Sequence, residues 1–100
     1  MPRKTSDYRI LPLARDDLEG IWRYTFENWS ADQADTYHQK ILTSIEGLAA
    51  GTKHGRIVEY VRREYQRLAA GEHIIFYRET EFGIEVVRVL HQRMDVERHL

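Results

Sequence analysis

From Ala14 to Trp29, apolar residues recur three and four positions apart. Leu18, Ile21, Trp22, Phe26 and Trp29 fall on one side of a helix, with Arg15, Asp16, Glu19, Arg23 and Glu27 on the other. The pattern places Asp16 and Asp17 in the first turn, where negative charge suits the helix dipole. The two tryptophans are expected as core or staple residues. Ser30-Ala31-Asp32-Gln33 then reads as a capping box, in which the serine oxygen accepts from the amide three residues on. It opens a second helix carrying Ala34, Tyr37, Ile41, Ile45 and Leu48 on one side, and Gly51 is placed to stop it. With almost no chain between them, the helices are expected to pack as an antiparallel hairpin.

On either side of the hairpin the period is that of strands. Tyr8 to Leu13 reads as a strand, with Pro12 near its end where an edge position tolerates the missing N–H. Thr52 to Glu64 has no period and reads as a loop turning at Gly55. Three strands follow, Tyr65–Ala69, His73–Glu79 and Gly83–His91. A two-residue turn at Glu81-Phe82 sets Arg78 opposite Glu85 and Phe76 opposite Val87. On that register Ile74, Phe76, Val87 and Val89 face the helices, and Ile75, Tyr77, Val86, Arg88 and Leu90 face away. A one-residue slip exchanges the two sets. The predicted fold is therefore α+β, in the order β-α-α-β-β-β, with a mostly antiparallel four-stranded sheet covered on one face by the helical hairpin. Its last strand is apolar on both faces, and two helices cover only one. The surplus apolar face is expected to need a partner.

Size and composition narrow the class. One hundred residues make a single domain spanning 1–100, with 1–7 read as a flexible lead and 94–100 as a short tail or helical turn. The hydrophobic fraction of 42% against 31% charged excludes a disordered chain. No apolar run approaches the roughly 20 residues of a membrane span, and the first residues lack the apolar stretch of a signal peptide. The absence of cysteine rules out disulfides and thiolate chemistry, so a cytoplasmic location is expected. A net charge of −1 gives no general attraction to nucleic acid. Arg56, Arg62, Arg63 and Arg67 could form a local basic patch, but they read more simply as solvated loop and strand charge.

Three stretches then carry a resemblance: Pro12-x-Ala14-x-x-Asp17-Leu18-x-x-Ile21-Trp22, Gly71-x-His73-x-Ile75-Phe76-Tyr77-Arg78, and Ile84-Glu85-Val86-Val87-Arg88-Val89-Leu90-His91-x-Arg93-x-Asp95. In order and spacing, from about Tyr8 to Leu100, they resemble the ParE branch of the RelE/ParE toxin superfamily of bacterial type II toxin–antitoxin modules. The resemblance implies a toxin that poisons DNA gyrase and is neutralised by a ParD-like antitoxin in a hetero-oligomer. An acidic-apolar antitoxin segment folding as a helix into a groove would fill the surplus face. Ile75, Tyr77, Val86, Arg88 and Leu90 are then the expected antitoxin contacts, and Arg88, His91 and Arg93 the residues of toxicity and target contact.

The RelE branch of the same superfamily cuts messenger RNA on the ribosome, which requires a base, a cationic clamp on the phosphate and an acid. Arg88, His91, Arg93, Lys53, His54 and Arg56 are the available groups, and His91 is the residue type suited to a general base near neutral pH. No tyrosine follows His91, however, and the chain has only three lysines, Lys4, Lys40 and Lys53. No catalytic residue is therefore assigned. The five histidines show no metal-ligand spacing, so no metal or cofactor is expected. No specific nucleic-acid or membrane contact is expected either.

Overall fold

Pro12 begins a helix rather than ending a strand. In the computed structural model, which describes residues 7–58 and 64–100, strand β1 (Asp7–Ile10) gives way at Leu11 to helix α1 (Pro12–Asn28). At the first helical position the ring's fixed φ fits and its missing N–H has no partner to lose. Asp16 and Asp17 consequently lie beyond the first turn, and Asp17 serves a different purpose, described below. Helix α2 (Ala31–Ala50) starts where the capping box places it, with Ser30 Oγ accepting from the Gln33 N–H at 3.1 Å. It ends at Gly51, whose φ of 83° is the left-handed conformation that a residue without Cβ adopts freely.

The remaining elements are β2 (Arg56–Ile57), β3 (Gln66–Ala70), β4 (His73–Thr80), β5 (Gly83–His91) and the short helix α3 (Val96–His99). They form a five-stranded sheet in the order β1-β5-β4-β3-β2. Strand β1 runs parallel to β5, and every other pairing is antiparallel. The fifth strand is β2, two residues long, inside the segment that reads as loop. Of the four arginines that could form a basic patch, Arg56 and Arg67 are cross-strand neighbours, and Arg62 and Arg63 lie outside the described residues.

The hairpin turn at Glu81-Phe82 is as expected, with Arg78 opposite Glu85 and a 2.6 Å ion pair between them. Beyond it the register changes. Tyr77 pairs with Val86 but Phe76 pairs with Arg88, which leaves Val87 as an extra residue in β5. This β-bulge reverses the alternation of side chains in the rest of the strand. Ile84 and Val86 before it, and Val89 after it, all join Ile75 and Tyr77 beneath the helices in one core with Ala14, Leu18, Ile41, Ile45 and Leu48. Ile74, Phe76 and Leu90 take the opposite face. The sequence-based sides of β4 are thus exchanged, and Val86 moves with them.

That opposite face is not bare. Ile74, Phe76 and Leu90 cluster with buried Val58 and are covered by Tyr65, Val96 and Leu100. Val96 and Leu100, from the stretch read as a short tail or helical turn, form its roof with Tyr65. The apolar face expected to be left over is covered by the chain itself. No helix among the described residues is long and apolar enough to cross a membrane.

Candidate functional site

An amphipathic stripe buries only as far as there is sheet beneath it. Of α1, Ala14 and Leu18 are buried, and no residue from Trp22 to Gln33 is, because the turn end of the helical hairpin stands clear of the sheet. Trp22 keeps a role there, stacking on Phe26 at 5.2 Å and donating Nε1–H to Asp35 at 2.9 Å. Trp29 and Tyr24 meet edge to face at 6.2 Å and are 63% and 62% exposed. The expected core role of Trp29 is therefore not what the fold gives it. A groove of about 910 Å³ opens between these two rings and the end of the sheet, with Ile21, Val89, Leu90 and Met94 among its apolar lining.

The polar floor of the groove is a chain of four side chains from three elements and a turn. His73 and His91 are direct partners across β4 and β5, with ring centroids 5.3 Å apart. The Tyr37 hydroxyl, brought in by α2, accepts from the Glu72 N–H at 3.0 Å and lies 2.6 Å from His73 Nδ1. It has one proton to give. That proton goes to the Ala70 carbonyl at 3.4 Å or to His73 Nδ1, according to the His73 tautomer. Burial lowers the His73 pKa below its ordinary value, and the neighbouring His91 lowers it further. Burial also raises the Tyr37 pKa, which keeps the phenol protonated. Glu72 closes the chain, 3.9 Å from His91 Nε2.

Beside the groove, Arg88 ties three elements together. Its Nε and Nη2 donate to the two oxygens of Asp17 on α1 at 2.7 and 2.8 Å, and Nη1 donates to the His99 carbonyl on α3 at 3.0 Å. Asp17 Oδ2 also accepts the Val89 N–H at 2.9 Å. Strand β1 ends opposite Val86, so from there on the edge of β5 would lack an acceptor without that carboxylate. The side chains of Arg88 and Asp17 are only 16% and 14% exposed.

The expected contact residues are thereby redistributed. Ile75, Tyr77 and Val86 are core residues under the helices, Leu90 belongs to the opposite cluster, and Arg88 is held in its clamp. They do not share a face, and only Leu90 borders the groove, from its floor. Of the expected target contacts, His91 lines the groove and Arg93 is exposed outside it. Sequence reasoning missed Tyr24, Trp29, Tyr37 and Met94 as site residues. Helical periodicity shows which side of a helix is apolar, but not which half of it has a sheet to lie on.

The chain resembles known proteins along nearly its whole length. The family described as ParE toxin of type II toxin-antitoxin system, parDE, matches residues 8–96. Toxin ParE1 of Mycobacterium tuberculosis is 45% identical over 97 residues, covering 96% of this chain and 99% of that protein. Toxin ParE1 of Caulobacter vibrioides is 38% identical over 93 residues, 93% of this chain and 96% of the relative. A chain from a solved structure, the chromosomal ParDE TA system from P. aeruginosa, superposes with a TM-score of 0.73 at 19% identity over 85% of this chain and 94% of that one, a likeness of fold.

Proposed function

The chain belongs to the ParE toxin family of type II toxin–antitoxin systems, and on that footing we propose that it inhibits DNA gyrase in the cytoplasm and is held inactive by a ParD-like antitoxin. The observation that supports the antitoxin half is the open groove. Tyr24, Trp29 and Met94 are large, apolar and exposed around one depression, and a contiguous apolar depression on a small domain is the kind of surface a partner covers. The antitoxin would lie along the seam of the helical hairpin, against Tyr24 and Trp29. The far face of the sheet is already covered by Tyr65, Val96 and Leu100.

A message-cutting reading draws on the Tyr37-His73-His91-Glu72 chain, which has the residue types of acid–base catalysis. The electrostatics oppose it. Asp16, Asp32 and Glu72 line the same groove against a single lysine, Lys40, and a polyanion is repelled from such a surface. Binding rather than bond-breaking is the function we assign, with His91 and the exposed Arg93 kept as candidate target contacts.

The test is a supercoiling assay with purified toxin, gyrase and relaxed plasmid. Loss of supercoiling, or accumulation of cleaved plasmid, is the expected result. Unimpaired gyrase together with cutting of messenger RNA on ribosomes would overturn the proposal.

A further inference from the structure

Charge decides what kind of segment the groove accepts. Four carboxylates line it, those of Asp16, Asp17, Asp32 and Glu72. Asp17 is neutralised by Arg88. The other three stand at separate points: Asp16 on α1, Asp32 at the start of α2, and Glu72 in the turn between β3 and β4. Among the described residues His91 Nε2 lies 3.9 Å from Glu72, Arg88 acts on Asp16 at longer range, and Lys40 is the one lysine or arginine in the lining. The centre between them is apolar, with Ile21, Tyr24, Trp29 and Met94. A partner that fills the centre with apolar side chains brings its flanking residues within reach of that acidic rim.

We infer that the groove takes an amphipathic helical segment of the antitoxin whose apolar stripe is flanked by arginine or lysine, the sign opposite to the acidic-apolar segment anticipated from the sequence. The inference rests on the toxin–antitoxin reading and adds the chemistry of the partner. An apolar stripe at helical spacing supplies the buried contact. The basic flanks supply register and encounter rate, since complementary charges at a rim steer and orient more than they hold. An acidic segment placed in the same groove would set its carboxylates against Asp16, Asp32 and Glu72, which is a repulsive arrangement.

The test uses the full-length toxin and the antitoxin encoded beside it, with affinity measured at low and high salt. The variant D16N/D32N/E72Q removes the three carboxylates with little change in shape, and a thermal melt of the free variant checks that it folds. The expected result is binding weakened about tenfold at low salt, three exposed pairs each contributing only a few tenths of a kcal/mol, with a flatter salt dependence than the parent. A second variant, Y24S/W29S, should weaken binding by about a hundredfold, as loss of buried aromatic anchors does. Equal or tighter binding by D16N/D32N/E72Q would show an acidic or uncharged occupant and overturn the inference. Protection from hydrogen exchange that falls outside the groove would overturn it as well. If the parent pair forms no complex at any salt concentration, the toxin–antitoxin reading itself fails and the inference with it.

Discussion

Substituting Arg88 by alanine tests the account of how this small domain holds its layers together. Arg88→Ala removes two charge-assisted hydrogen bonds to Asp17 and one to the His99 carbonyl. It leaves the Asp17 carboxylate, 14% exposed in the intact protein, with the Val89 amide as its remaining hydrogen-bond donor among the described residues. Breaking a fully buried ion pair by deleting one partner costs ~3–5 kcal/mol. Some solvent reaches this pair, which reduces the penalty, while release of α3 from its tether adds to it. The working figure is about 3 kcal/mol, a large share of the ~5–15 kcal/mol that stabilises a typical domain. For about 100 residues that corresponds to a fall in Tm of about 15 °C. Urea and thermal denaturation of the purified toxin measure it directly. Arg88→Lys, with one donor able to reach Asp17, should recover about half the loss. In a double-mutant cycle with Asp17→Asn, the two substitutions should cost far less together than their sum. A loss below about 1 kcal/mol for Arg88→Ala, or simple additivity in the cycle, would refute the clamp. The same result bears on function. Any loss of toxicity in Arg88→Ala reports a weakened fold first, and cannot by itself mark Arg88 as a target contact.

Four further outcomes are expected. Arg93→Ala should leave the melting curve in place and, if Arg93 touches the target, reduce growth inhibition, so the ratio of the two readouts separates contact from stability. Tyr77→Phe removes the hydroxyl that accepts from the Gly55 N–H at 2.8 Å and donates to Gln66 Oε1 at 3.0 Å, and should cost about 1 kcal/mol in urea melts because a half-buried amide loses its acceptor. Gly83→Ala places a Cβ against the Asp7 carbonyl of the adjacent strand, so β1 must move away from β5, visible as a lowered Tm and faster amide exchange from Tyr8 to Ile10. The fourth is a pH dependence. Burial and His91 depress the His73 pKa from its ordinary 6.5, while Glu72 and Asp17 oppose that shift and Arg88 and Tyr37 stand close by. Below pH 6.5 the unfolded chain therefore takes up this proton before the folded one does, so stability falls as the pH is lowered from there, and His73→Gln should flatten that part of the profile.

The hairpin of helices was legible because its signals are local. Ser30 caps a helix through the amide of Gln33, Gly51 ends it in a conformation other residues avoid, and the spacing of Ile41, Ile45 and Leu48 marks the buried side without reference to anything else in the fold. The turn at Glu81-Phe82, with Arg78 facing Glu85, was legible for the same reason. Pro12 was misread because an edge strand and the first turn of a helix both tolerate its missing N–H, and the residues around it favour neither.

The candidate site was mostly illegible. Ile75, Tyr77, Val86 and Leu90 are apolar in the sequence wherever they point, and a single extra residue at Val87 decides which of the β5 side chains meets the helices. Tyr24 and Trp29 sit in a stripe that looks like core, and become a surface only because the sheet ends before the helix does. Sequence was enough for the order of the main elements, though not for β2, and for the helix boundaries at Ser30 and Gly51, the α+β class and the membership that this order and spacing imply. Long-range packing set the faces of the sheet, the cover of its far side by Tyr65, Val96 and Leu100, and the clamp between Asp17 and Arg88, which are 71 positions apart in the chain. The physical reason is range: caps and turns are settled by neighbours a few residues away, whereas burial, pairing and the exposure of a groove depend on contacts that exist only after distant segments have met.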